Sequence, residues 1–116
     1  MHSQTWKREE RWWAKRYEGV RHPVRGRNDI PDVENDELAL EIKMTTTAGV
    51  GSTVLTKAIK QADRAGAEVS KMPVVGVSLP GDPDGTPGRP LRARFVYMRE
   101  ELFYELWNKY LHSDSM

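Results

Sequence analysis

The stretch Pro31-Asp32-Val33-Glu34-Asn35-Asp36-Glu37-Leu38-Ala39-Leu40-Glu41-Ile42-Lys43 decides the fold. Leu38, Leu40 and Ile42 alternate with Ala39, Glu41 and Lys43, the period-two pattern of a strand. Asn35-Asp36 is turn chemistry between two such runs, so residues 31–43 read as a hairpin. A two-residue turn there pairs residue 34 with 37, 33 with 38 and 32 with 39. Opposed residues of an antiparallel pair point to one face. Asp32 therefore shares a face with Ala39, Glu41 and Lys43, while Val33, Leu38, Leu40 and Ile42 fill the other. A three-residue turn with a bulge would break this parity.

Two carboxylates and an ammonium on one strand face suit metal-assisted phosphodiester hydrolysis. Mg²⁺ takes oxygen ligands and keeps several waters, so one or two carboxylates are enough. Asp32, Glu41 and the backbone carbonyl of Ile42 are the candidate ligands for Mg²⁺, with Mn²⁺ as its substitute. Lys43 would orient or deprotonate the attacking water, or stabilise the transition state. The same spacing also describes an exposed hairpin with an ordinary Glu–Lys surface pattern.

Around the hairpin, residues 4–18 read as a helix: Trp6, Trp13 and Tyr17 recur at spacings of seven and four. Glu10 falls among them and Glu9 toward the edge of the stripe. A carboxylate inside an apolar stripe is costly unless it is paired. Gly19 is placed to cap this helix. Residues 20–30 are extended or looped, and residues 44–52 form a mobile loop. A helix over residues 53–67 carries Leu55, Ala58, Ile59 and Ala62 on one face and Lys57, Lys60 and Arg64 on the other. Residues 73–79 read as a buried strand and 93–98 as another. Residues 80–92, with four of the seven prolines, are a long exposed loop. Residues 99–112 form a helix with a broad apolar face of Leu102, Phe103, Leu106, Trp107 and Tyr110. Residues 113–116 are a disordered tail. The fold class is α/β, a mixed central sheet flanked by helices, in the outline order αβββαβ-α.

The chain has 116 residues, which is one domain with a modest core. No run approaches the roughly 20 apolar residues of a membrane span. The first residues are too polar for a signal peptide. Cysteine is absent and His2, His22 and His112 are scattered, which excludes disulfides and argues against structural zinc. These features place the chain in the cytoplasm. The net charge of +1 conceals +4 over residues 1–30, −5 over 31–41 and +3 over 42–81. An acidic island between basic stretches fits a cation site beside a bound polyanion, and equally a solvated acidic turn.

Pro31-Asp32, then eight residues, then Glu41-Ile42-Lys43 resembles the motif of the PD-(D/E)XK nuclease superfamily. Trp6-Lys7-x-x-Glu10-Arg11-x-x-Ala14 resembles the first helix of small phage and archaeal Holliday-junction resolvases. Arg21-x-Pro23-x-x-Gly26-Arg27 is similar to their basic segment before the first acid, and Gln61-Ala62 to their following helix. The archaeal enzymes carry a serine-rich turn where this chain has Gly26-Arg27-Asn28-Asp29, which leaves Asp29 as a further acid near the site.

The resemblance covers residues 6–62 and implies a restriction-endonuclease-like core over the whole of residues 1–116. It implies a metal-dependent endonuclease that cuts branched DNA, most simply four-way junctions, as a homodimer with two opposed active sites. A phage-encoded copy would work in the host cytoplasm. Glu10 would complete the metal site directly or through water, or instead pair with Arg21 or Arg27. Gln61 would support the active site or contact DNA. Arg21, Arg25 and Arg27, and the stripe Lys57, Lys60 and Arg64, would contact phosphates. Trp12 points away from its helix's own apolar face, Tyr104 and Leu111 broaden that of the last helix, and such exposed aromatics point to an interface. The alternatives are a restriction-like or repair nuclease of the same fold, or a non-catalytic DNA-binding protein.

Overall fold

In the computed structural model, which describes residues 2–22, 30–44, 52–80 and 92–113, the alternating stretch forms the middle of a sheet. The elements run α1 (His2–Arg16), β1 (Val20–Arg21), β2 (Val33–Glu34), β3 (Leu38–Met44), α2 (Ser52–Val69), β4 (Met72–Pro80), β5 (Arg92–Tyr97) and α3 (Glu100–His112). The sheet order is β1-β2-β3-β4-β5. β1, β2 and β3 pair antiparallel, β3 and β4 pair parallel across the α2 crossover, and β5 returns antiparallel. The expected α/β class with a mixed sheet flanked by helices is what forms. The order is αβββαββα: the strand expected over 93–98 forms over Arg92–Tyr97 and pairs with β4 at the sheet edge.

The hairpin turns one residue later than expected. Val33 pairs with Leu40 and Glu34 with Ala39, instead of with Leu38 and Glu37. The Asn35 side chain is the cause. Its Oδ1 accepts from the backbone N–H groups of Glu37 at 2.9 Å and Leu38 at 2.7 Å. This fixes Asn35 as the first residue of the turn and leaves Asp36-Glu37 as its tip. The shift is two residues in register, so the parity of faces survives. Continued by one step, it sets Asp32 opposite Glu41 rather than Ala39.

β3 is covered on both sides. Leu40 and Ile42 pack with Trp13, Ala14, Val33 and Val74 under α1. On the other side Ala58 and Ala62 of α2 pack against Val75, Val77 and Leu79. Trp13 lies so close over Gly76 that a Cβ there would sit 2.9 Å from the indole ring. The Tyr17 ring stacks on Trp13 at 5.8 Å between centroids. Trp6 does not join this stripe. It lies one turn before Glu9, the first buried residue among those whose side chains are described, and is exposed.

Gly19 is not the left-handed cap of α1. That conformation belongs to Glu18, with φ 52°. The N–H of Gly19 bonds back to the carbonyl of Ala14 at 2.7 Å, closing the helix end. Glycine is required at 19 because a Cβ would meet the Glu34 carbonyl oxygen at 2.7 Å. α3 departs furthest from expectation. None of its residues is buried, since α1 and α2 already cover the two sheet faces. Leu102 and Leu106 are half-buried, while Phe103, Tyr104, Trp107, Tyr110 and Leu111 are exposed. Ser113 closes the helix by donating from Oγ to the Tyr110 carbonyl. The loops expected at 44–52 and 80–92 and the expected tail fall mainly on residues 45–51, 81–91 and 114–116, outside the described residues. No helix among the described residues is long and apolar enough to cross a membrane.

Gly76→Ala should therefore destabilise the fold by about 1–3 kcal/mol, the usual cost of overpacking. Urea denaturation followed by Trp13 fluorescence measures this. An unchanged midpoint would contradict the placement of the indole.

Candidate active site

β3 enters the core with a carboxylate among its apolar residues. Glu41 is buried, and Asp32, just before β2, is buried beside it. Asp32 Oδ2 accepts the backbone N–H of Ile42 at 2.8 Å, which ties the loop before β2 to the strand carrying Glu41. Burial raises the Asp32 pKa, against the Ile42 hydrogen bond, which lowers it. Burial and then the charge of Asp32 push Glu41 up to about 8. At neutral pH the two carboxyls thus hold a proton between them.

Glu10 comes to this pair from α1. It is 1% exposed, and its pKa is raised, by burial first and, in a smaller part, by Asp32. Arg21 donates from Nε to Glu10 Oε1 at 2.6 Å. Of the two sequence alternatives for Glu10, the Arg21 ion pair is therefore formed. Glu10 Oε2 is buried without a hydrogen-bond partner. Arg21 is turned inward and only partly exposed, which limits it as a phosphate contact.

Lys43 and Gln61 meet across β3 and α2. Lys43 Nζ donates to Gln61 Oε1 at 3.0 Å and lies 3.9 Å from Glu41 Oε1. The ammonium is therefore held between the carboxyl pair and an amide that fixes its direction. Asp32, Glu41, Lys43, Glu10 and Gln61 are thus one constellation, assembled from the residue before β2, from β3, α1 and α2. Lys57, Lys60 and Arg64 are exposed along α2, as expected. Arg25, Arg27 and Asp29 lie outside the described residues.

The sequence pattern missed Glu9. It is buried, not at the edge of the stripe, and its Oε1 accepts from Ser78 Oγ at 2.5 Å and from Arg94 Nε at 2.6 Å. Ser78 Oγ in turn accepts from Trp13 Nε1 at 3.1 Å. The available signal was Arg94 at an otherwise apolar strand position, where a buried acid could meet it.

The donor set fits a small divalent cation. Two carboxyls that share a buried proton, and an orphaned Glu10 oxygen that senses their charge, form an acidic centre with Lys43 at its edge and Arg21 on the other Glu10 oxygen. A bound cation would replace the proton and relieve the repulsion. Among the described residues no three His, Cys, Asp or Glu side chains converge as a ready-made cage. An ion that keeps much of its water, as Mg²⁺ does, needs only one or two carboxylates. No family model, curated protein or solved structure matches the chain.

A stability–pH relation follows. Glu41 binds its proton more tightly folded, at about 8, than unfolded, near 4.5. Its contribution is complete below the unfolded value and is lost as pH rises through the folded one. Metal-free protein should melt at progressively lower temperature between pH 5 and pH 8, and Glu41→Gln should flatten that decline. Differential scanning calorimetry in EDTA checks it. A melting temperature that rises over this window would contradict the buried pair.

Proposed function

We propose that the protein is a metal-dependent, structure-selective DNA endonuclease that hydrolyses phosphodiester bonds in branched DNA, a Holliday-junction resolvase of the PD-(D/E)XK type. The observation that carries this reading is the Asp32–Glu41 carboxyl pair with Lys43 beside it. Mg²⁺ held by Asp32, Glu41, the Ile42 carbonyl and, directly or through water, Glu10 would neutralise phosphate charge and acidify water. Lys43 supplies a fixed positive charge where charge grows on the phosphate. Gln61 keeps the Lys43 ammonium aimed at that place. Arg21 holds Glu10 in position. Lys57, Lys60 and Arg64 bind backbone phosphates without reading sequence.

Cutting two strands of a four-way junction calls for two active sites, and the homodimer belongs to the proposal for that reason. α3 supports it. An isolated helix of 13 residues is marginal in water, and this one exposes five large apolar side chains.

A labelled four-way junction should be cut in Mg²⁺ and not in EDTA, with a linear duplex left largely intact. Asp32→Asn and Glu41→Gln should abolish cleavage while retaining junction binding. Lys43→Ala should lower kcat by far more than it weakens binding. Full cleavage by either carboxylate variant would refute the site. On the dimer, light scattering at micromolar concentration should give twice the 13.3 kDa chain mass, and Trp107→Glu should halve it. A wild-type monomer that still makes paired cuts would refute that part.

A further inference from the structure

α1 turns every one of its acids inward. Glu9 and Glu10 are its two carboxylates, and both are buried and paired with arginine. The outward arc carries Lys7, Arg8, Arg11, Lys15 and Arg16, all exposed. No ion pair joins any of these five to a described carboxylate. At 100° per residue they cover about half of the helix circumference. No other described element presents cations so uniformly. α2 mixes its bases with Glu68, and α3 exposes Glu100, Glu101 and Glu105.

We infer that the outer face of α1 is a second DNA-binding surface, which takes the phosphate backbone of a duplex arm. Charge complementarity carries the assignment: five cations that face solvent without an ion-pair partner among the described residues, Arg16 alone resting over the Trp12 ring, match a polyanion. From Lys7 to Arg16 the face is about 13 Å long. Duplex DNA carries roughly eight phosphates over that length, both strands counted. The contact is to backbone and not to splayed bases. Trp12, the half-exposed aromatic within the arc, already has the Arg94 guanidinium 3.7 Å over its ring. A lipid surface fits less well, because the apolar side of this helix is spent in the core against Leu40, Ile42 and Val74.

The placement also deepens the proposed function, on which the identity of the polyanion rests. α1 and α2 lie on opposite sides of the sheet. A straight duplex laid on the α2 stripe leaves the α1 face empty, whereas a branched molecule can offer a second arm. Selectivity for junctions then arises from two basic layers on one chain, before any second subunit is counted.

The test is the triple variant Arg8→Gln, Arg11→Gln, Lys15→Gln, all exposed positions that leave Glu9 and Glu10 in place. Binding of a labelled four-way junction and of a linear duplex is followed by fluorescence anisotropy in EDTA from 50 to 300 mM salt. Circular dichroism confirms the fold, and the single variant Lys15→Gln gives a milder version. Each lost phosphate contact should reduce the slope of log affinity against log salt by about 0.9, or roughly 2–3 for the triple variant. Its preference for junction over duplex should fall with it. An unchanged slope in a folded variant overturns the inference, even if wild-type protein cleaves junctions normally. Slope loss in a protein that never cleaves DNA upholds the α1 surface and overturns only the nuclease reading. Sedimentation with phosphatidylglycerol vesicles, abolished by the variant while junction binding persists, would assign the face to membranes and overturn the inference.

Discussion

A carboxylate removed from water needs a proton, a cation or strong hydrogen bonds. Glu41 and Asp32 are buried next to each other, and among the described residues one backbone N–H, that of Ile42, serves the pair. Everything else about the site follows from that shortage. The raised pKa values of Glu41 and Glu10 come first from burial and in smaller part from the neighbouring Asp32 charge, and one Glu10 oxygen is left without a hydrogen-bond partner. A fold seeking only stability would have placed apolar residues there, as it did with Leu40 and Ile42 on the reverse side. The cost is intelligible if a cation occupies the place during work.

The rest of the structure holds those groups at their distances. Asn35 sets the hairpin register, and the register sets Asp32 against Glu41. Trp13 over Gly76 fixes α1 on the sheet, and the Glu9–Ser78–Arg94 cluster fixes its rotation. Glu10 follows Glu9 in the chain, so anchoring one aims the other. Glu34 ties β2 to the start of β4 through its ion pair with Lys71, and His22 Nε2 lies 2.6 Å from its other carboxyl oxygen. Its carboxyl is held below the usual range, chiefly by the hydrogen bond from Lys71.

Alternation in residues 38–43 made the central strand and its polar face legible, because a period of two has one structural meaning. The same pattern could not place the turn. Asn35 and Asp36 are both turn formers, and the choice between them depends on whether the Asn35 side chain caps the next backbone groups. Parity was safe against that error, so the site residues came out on one face. Glu10 was legible as an acid within an aromatic stripe. Glu9 was not, because its partners Ser78 and Arg94 lie far away in sequence. The apolar face of α3 was visible in the pattern, but a pattern cannot say whether the chain itself provides the cover.

The proposed function puts a divalent cation where the Asp32–Glu41 pair holds its buried proton. Calorimetric titration with Mn²⁺ near pH 7, repeated in buffers of different ionisation enthalpy, measures proton release directly. The account predicts saturable binding that expels close to one proton per site, with the release abolished in Glu41→Gln and the binding in Asp32→Asn. Heat of binding that does not depend on the buffer, or binding indifferent to both substitutions, would contradict it.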